Sequence, residues 1–178
     1  MKKRREIIVW ALVFLALAGI ILLVFPYQKQ ISYRGTDYAY SPDDPSVAIA
    51  HEVVIEGTYI RYLLFDDVFQ GTFYISDASI VNMGKTVHFK FARRQCAFPT
   101  PMDAYGQPIS CDIAGIYAEP NFTQLAVQFF ERVEQNADGT RTASVSIPGS
   151  TFLVPGAKDR DAALETYMAL LRESGTIE

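Results

Sequence analysis

The sequence has few of the side chains that most often bind metals or carry out catalysis. Its 178 residues include two His, two Cys and one Trp. His51 and His88 are far apart in the chain, with no His, Asp or Glu at ligand spacing, so we expect no structural zinc site. Asp43-Asp44 and Asp66-Asp67 lack the alternating oxygen ligands and closing Glu of a calcium loop, and turn formation explains them better. We therefore expect no metal and no cofactor.

Beyond the first five residues, acidic side chains outnumber basic ones. The net charge is −4 at pH 7, of which residues 1–25 contribute +3 and residues 26–178 therefore −7. The positive group comprises Lys2, Lys3, Arg4 and Arg5. Because binding to a phosphate backbone requires a concentration of Lys and Arg, nucleic acid is not an expected partner. The chain also has no internal repeat or low-complexity tract, and its length predicts one folded domain.

Only one long hydrophobic run is present, at residues 7–25, and it contains no charge. As a helix rising 1.5 Å per residue it would reach about 28 Å, close to the ~30 Å thickness of a bilayer's hydrocarbon core. Trp10 and Tyr27 lie near its two ends, where aromatic rings prefer the membrane interface. We predict a single-pass transmembrane helix in the cell membrane, preceded by a cytoplasmic basic stub at residues 1–6 and followed by an extracytoplasmic domain.

A cleaved signal peptide is the main alternative to this anchor. The apolar core of a signal peptide is typically ~7–15 residues long and ends at small residues, whereas this run is longer and continues into Pro26-Tyr27. Leu17-Ala18-Gly19 matches the start of a bacterial lipoprotein cleavage box, but Ile20 stands where the lipidated Cys is required. The sequence favours a retained helix that is not lipidated.

Beyond the run, residues 26–46 are rich in turn formers and predict a juxtamembrane stalk, which places the domain at residues 47–178. Strict alternation of apolar and polar residues predicts strands at 69–76 and 86–91. The Asn136-Ala137-Asp138-Gly139 segment lies between two further alternating stretches and predicts a hairpin, because Asp-Gly supplies positive-φ positions.

Residues 58–65 are apolar on both parities apart from Arg61, which predicts a central strand covered on both faces and followed by a turn at Asp66-Asp67. Further strands are expected at 51–56, 111–118 and 151–154. Seven or eight strands with frequent turns favour an antiparallel β-sandwich or barrel.

The periodicity changes only at residues 159–174, where apolar residues recur at helical spacing. Asp159 and Asp161 stand in the first turn and Gly175 just beyond the last. This pattern predicts a C-terminal amphipathic helix docked on the sheet. Its expected buried face consists of Ala163, Leu164, Tyr167, Met168 and Leu171.

The two cysteines, Cys96 and Cys111, lie outside the cell in this topology and flank a Pro- and Gly-containing segment. A disulfide is their simplest use, because closing a loop of about 15 residues contributes roughly 3 kcal/mol in the chain-entropy model. Two unpaired thiols are the alternative.

A third use of Cys111 is as a catalytic nucleophile, suggested by the position of His51 earlier in the sequence. An N-terminal anchor, a β-rich outer domain and this Cys with a preceding His resemble a sortase, a surface transpeptidase with a His, Cys and Arg site. The family's Thr-Leu-x-Thr-Cys stretch is here Gln107-Pro108-Ile109-Ser110-Cys111, and the next Arg is only at position 132. Without that Arg, no evident group stabilises the oxyanion of a thioester-forming step.

Residues 51–77 resemble part of a group of small, singly anchored proteins of Gram-positive bacteria with β-rich outer domains. The motifs concerned are Gly57-Thr58-Tyr59, residues 62–67 and Phe69-x-Gly71-Thr72-Phe73. The resemblance implies no activity. We therefore expect a binding or accessory module that meets an envelope protein or surface ligand. The alternatives are a cell-envelope cysteine hydrolase or transpeptidase using Cys111 and His51, and a structural subunit of a membrane complex.

Overall fold

A computed structural model describes residues 26–78, 86–91, 96–97, 112–119, 122–135, 141–147 and 149–177, with residues 3, 7, 10–15, 17 and 19 near the N-terminus. This part of the chain forms ten strands and a C-terminal helix. They are β1 (Tyr27–Tyr40), β2 (Ala48–Arg61), β3 (Asp67–Ile75), β4 (Val87–Phe91), β5 (Cys96–Ala97), β6 (Ile113–Ala118), β7 (Leu125–Phe129), β8 (Arg132–Gln135), β9 (Arg141–Ser144), β10 (Phe152–Leu153) and α1 (Arg160–Glu173). The predicted mainly β class with one C-terminal helix is confirmed.

Eight of the strands form one antiparallel sheet in the order β4-β3-β2-β1-β10-β7-β6-β5, while β8 and β9 pair separately. Strands β1 to β4 follow one another as a meander, β5 to β7 form a second meander, and β10 lies between the two. The pairing of β8 with β9 confirms the predicted hairpin. Its turn residues, 136–139, lie outside the described part of the chain.

The large sheet is curled into a half-barrel. Eight strands spaced by about 4.8 Å would put β4 and β5 about 34 Å apart in a flat sheet. Only residues 92–95 connect these two edge strands, and five Cα-to-Cα steps cover at most about 18 Å. The edges must therefore approach each other, and Cα atoms of β4 and β5 do come within 8 Å.

The curl brings the backbones of β2 and β3 unusually close at Gly57 and Gly71, which face each other in the ladder. A Cβ atom on Gly71 would lie 2.2 Å from the carbonyl oxygen of Glu56 and 2.5 Å from the Cα atom of Gly57. No side chain fits in this space. Glycine at such a point is typical of a sharply bent strand, and the Phe69 ring lies over Gly57.

The concave face of the sheet encloses an aromatic core. Phe122, in the turn after β6, stacks on Phe69 with a centroid distance of 5.4 Å and lies 5.3 Å from Tyr59. Phe122 has a φ of 55°, which is unfavourable for a bulky side chain. The other large core members are Phe73, Phe89, Phe91, Ile55, Ile75, Ile113, Ile116 and Leu153. The predicted inward parities of 69–76 and 86–91 are thereby confirmed.

The convex face is covered by α1 where the helix crosses β6 and β7. Phe152 and Tyr167 stack face to face at 4.4 Å between centroids. Asp159 caps the first turn by accepting from the backbone N–H of Ala162 at 2.9 Å, and Gly175 follows the helix with a φ of 66°. The predicted helix and its docking are confirmed. Its fully buried face includes Leu170 besides Ala163, Tyr167 and Leu171.

Two stretches differ from the sequence expectations. The predicted central strand at 58–65 is wrong beyond Arg61, because the chain turns there and β3 begins at Asp67. Asp67 stabilises this turn by accepting from the Tyr62 N–H at 3.0 Å and from the Tyr59 hydroxyl at 2.5 Å. Residues 27–40, assigned to a stalk, form the long strand β1 instead.

The described residues of the apolar run, residues 10–15 among them, are helical, and the others lie outside the described part of the chain. Within the residues that the structure describes, no helix has the length and apolar character needed to cross a membrane.

The substitution Gly71→Ala should lower the free energy of unfolding by about 1–3 kcal/mol, as overpacking does. The new Cβ meets backbone atoms of β2, which cannot rotate out of the way. Chemical denaturation of the full-length protein in detergent measures this effect. Gln70→Ala, at an exposed position on the same strand, is the control and should change stability by less than about 0.5 kcal/mol. Equal stabilities of the two variants would contradict a steric requirement at Gly71.

Candidate functional site

The sheet opens between its two meanders. On the β10 side, β1 forms ladder pairs only at Ala39 and Tyr40 within the described residues, and β10 consists of Phe152 and Leu153. Earlier residues of β1, from 31 to 38, pair with β2 alone among the described strands. The strand therefore has one edge that no other described strand covers, and this edge borders a gap in the sheet.

The residues after β10 explain why the pairing stops. Pro155 has no N–H to donate to a neighbouring strand, and Gly156 adopts a φ of 77°, in the left-handed region that favours glycine. The chain thus turns away from β1 after Val154. It stays close to β1, where the Gly156 N–H donates to the Asp37 carboxylate at 2.8 Å.

A cleft of about 450 Å³ occupies this gap. Ile31, Tyr33 and Ile55 form its wall on the β1–β2 side. The opposite sides are formed by residues 122–125, by residues 154–158 and by the first turns of α1 through Ala162 and Thr166. The volume lies in the range of pockets that hold small molecules or several side chains of a peptide.

Two of the lining residues, Tyr33 and Gly156, are held by Asp37, a carboxylate that is 6% exposed and is not itself part of the lining. The Tyr33 hydroxyl lies 2.8 and 2.7 Å from the two carboxylate oxygens of Asp37 and donates its single proton to this carboxylate. Burial, followed by the hydrogen bond to Asp37 and the Asp37 charge, raises the pKa of Tyr33 from 10.0 to about 12. Tyr33 is consequently a neutral donor at physiological pH, and its bond to Asp37 fixes the position of its side chain in the wall of the cleft.

The remaining polar groups lie at the rim. Lys158 is exposed beside the start of α1, while Thr123 and Gln124 line the opposite side. Thr123 donates a short hydrogen bond to Glu119, which holds this turn in place. The cleft therefore combines apolar walls with a few polar groups in fixed positions, which is typical of a binding site.

His51, one of the sequence candidates, faces Asp37 across the β1–β2 ladder but has a structural role. It is 8% exposed and its ring stacks on Phe129 at 5.7 Å. Its Nδ1 lies 2.7 Å from the Ser76 carbonyl oxygen, so that nitrogen must carry the proton and donate. His51 is not among the residues that line the cleft.

The side chains of the other two candidates, Cys96 and Cys111, are not described, so their distances from His51 are not known. Cys111 lies outside the described residues, and only the backbone of Cys96, in β5, is described. The predicted disulfide and the predicted nucleophile therefore both stay predictions. In the described part of the chain, no group of three or more His, Cys, Asp or Glu side chains could hold a metal ion.

Sequence reasoning missed Tyr33, Asp37 and Gly156. One signal was available: Ile31, Tyr33, Asp37 and Ala39 share one parity, so an acidic residue stands among apolar neighbours on one face of a strand. A carboxylate in that position needs donors, and Gly156 supplies one from a position 119 residues away. No family model, curated protein or solved structure matches the chain.

Replacing Asp37 by Asn should lower the free energy of unfolding by about 1.5–3 kcal/mol at neutral pH, the range for hydrogen bonds to a charged group. The amide is a weaker acceptor for Tyr33 and for the Gly156 N–H. Glu52→Gln, which changes an exposed carboxylate on the neighbouring strand, is the matched control and should leave stability nearly unchanged.

The Asp37→Asn substitution should also change how the free energy of unfolding depends on pH in alkaline solution. A folded-state pKa raised above the unfolded value means that the contribution of Tyr33 to stability is complete below about pH 10 and is lost as the pH rises toward about 12. In Asp37→Asn, burial alone still raises the pKa of Tyr33, but by less, so this part of the alkaline loss should be smaller. Denaturation between about pH 9 and about pH 12, the range over which tyrosine titrates, measures this loss. Identical alkaline curves for the variant and the wild type would contradict the coupling.

Proposed function

We propose that the protein is a single-pass membrane protein whose extracytoplasmic domain binds an extended peptide segment of an envelope protein. The observation that carries the proposal is the edge of β1 along the cleft, which no described strand covers between residues 31 and 38. Unpaired N–H and C=O groups of a sheet edge are a template for an added strand. The ligand would continue the sheet where β10 ends.

The cleft supports this binding mode by its shape and lining. A strand added along residues 31–37 would extend about 20 Å, which corresponds to roughly six residues. Alternate side chains of such a strand would enter the cleft, where they would meet Ile31, Ile55 and Val154. Lys158 at the rim favours a segment with an acidic residue near that end. Backbone pairing thus supplies affinity, while the cleft selects apolar side chains.

The proposed anchoring is supported by the apolar run at residues 7–25 and by the basic residues before it. Pro26 alone separates this run from β1 at Tyr27. The binding domain would therefore stand directly on the membrane, without a flexible stalk between them. Its net charge of −7 suits an aqueous environment outside the cell.

Proteolysis of intact cells tests the orientation. An added protease should remove the domain at residues 26–178 while a tag placed before residue 2 stays protected, because only the domain is exposed. Digestion after lysis is the control, since it shows whether the folded domain can be cleaved at all. A domain that is degraded only after lysis would overturn the proposed orientation.

Site-specific photo-crosslinking tests the binding surface. A benzophenone amino acid replaces Thr123 or Thr166, which lie on opposite sides of the cleft, in the full-length protein in its native membrane. Both positions should yield cross-links that mass spectrometry maps to one extended segment of a partner. The same amino acid at Gln70, an exposed position on β3, is the control for unspecific capture.

A blocking variant makes this test stricter. Ala162→Trp places an indole ring into the cleft and should reduce the cross-links severalfold, because the ligand's side chains can no longer enter. Glu165→Trp adds the same ring to an exposed position of α1 that does not line the cleft, and it should have no effect. Equal cross-linking in the two variants, or at Gln70 and Thr123, would contradict binding in the cleft.

A further inference from the structure

The connection between β2 and β3 exposes three consecutive large apolar side chains. Leu63, Leu64 and Phe65 are 72%, 56% and 70% exposed. We refer to residues 62–66 as the β2–β3 tip. Exposed apolar residues are ordinary when scattered, but a contiguous group of this kind marks an interaction site.

The β2–β3 tip is held in a defined shape, so the exposure is a property of the fold. Asp67 accepts from the Tyr62 N–H at 3.0 Å and thereby closes the turn. The Tyr59 hydroxyl, from the buried end of β2, donates to the same carboxylate at 2.5 Å. The rings of Tyr62 and Phe65 meet edge to face at 6.1 Å. These contacts fix the base of the turn and leave the two leucines and Phe65 pointing away from the domain.

The position of the tip relative to the N-terminal run follows from the strand register. Tyr27, the first residue of β1, is the ladder partner of Arg61, the last residue of β2. Ladder partners have Cα atoms about 5 Å apart, and two further residues reach at most about 7 Å. Leu63 therefore lies within about 12 Å of Tyr27. Tyr27 itself follows the apolar run after a single residue, Pro26.

We propose that the β2–β3 tip inserts into the outer interface of the bilayer that residues 7–25 span. The inference rests on the proposed membrane anchor, which brings the tip to the lipid surface. Leu63, Leu64 and Phe65 would enter the edge of the hydrocarbon region. Tyr27 and Tyr62 would lie at the level of the headgroups, as tyrosine prefers. The exposed carboxylate of Asp66 stays in water and limits the insertion to the interface.

The location of the tip favours a lipid surface over a protein partner. The opposite end of the β1–β2 hairpin carries the exposed Tyr38 and Ile49, which are diagonal neighbours on adjacent strands. Both lie about 35 Å from Tyr27. The three-residue apolar group is thus at the end of the hairpin where the chain leaves the predicted span.

Tryptophan fluorescence of the full-length protein in lipid vesicles tests the inference, because the chain contains only Trp10. Phe65→Trp in a Trp10→Phe background places the probe in the tip, and Ile49→Trp in the same background is the matched control at the far end. Vesicles of phosphatidylcholine, with or without bromine near the top of the acyl chains, serve as membrane and quencher. Phe65→Trp should show blue-shifted emission, and the brominated lipid should quench most of its intensity. The emission of Ile49→Trp should not be quenched.

The wild-type Trp10 signal separates this inference from the anchor on which it rests. Quenching of Trp10 without quenching of Phe65→Trp would overturn tip insertion, leave the anchor standing and assign the tip to a protein partner. Quenching of Phe65→Trp without quenching of Trp10 would support the tip and contradict the anchor. Leu63→Trp provides a second probe, and far-UV circular dichroism shows that each variant is folded. Both tip probes unquenched in folded protein would refute the inference.

Discussion

Phe152 and Leu153 hold the two halves of the sheet together. They form β10, the strand that pairs with β1 on one side and with β7 on the other. Their side chains point to opposite faces, as in any strand. Leu153 enters the aromatic core inside the half-barrel, and Phe152 stacks on Tyr167 of α1 on the outside. The continuity of the sheet and the docking of the helix therefore depend on the same two residues.

The shortness of this strand also creates the cleft. A longer β10 would pair with more of β1 and fill the space that Ile31 and Tyr33 now border. The chain instead turns at Gly156, whose N–H bonds Asp37 and so keeps the turn close to β1 without covering the edge. This hydrogen bond supplies the buried carboxylate with a donor and fixes the position of the turn beside the cleft.

Local patterns predicted much of the fold, and they failed where long-range contacts decide. Period-two alternation identified β3 and β4, and helical spacing with its end signals located α1 to within a residue. β1 was missed because its inward face carries Tyr33, Gly35 and Asp37 as well as apolar residues, which hides the alternation. The apolar segment after Arg61 matches the pattern of a strand, because an exposed apolar turn has no local signature of its own.

Local sequence patterns could not predict the cleft, because its lining residues are distant from one another in the chain. Its lining comes from β1, from the turn after β6, from the turn after β10 and from α1, segments separated by up to more than a hundred residues. Nothing in any one of these segments indicates that they meet. A buried acidic residue whose donor is distant in sequence becomes recognisable only when the strand order is known.

The long strand β1 has a mechanical consequence in the proposed orientation. It begins one residue after the apolar run, and all 14 of its residues pair with β2. A pull between a ligand in the cleft and the membrane would act along the strand axis, perpendicular to the interstrand hydrogen bonds. The hydrogen bonds between an added ligand strand and β1 would then be loaded in shear and would share the force at once, whereas a pull across the strands would open them one after another. In that orientation β1, paired along its whole length with β2, would carry tension from a bound ligand directly to the apolar run.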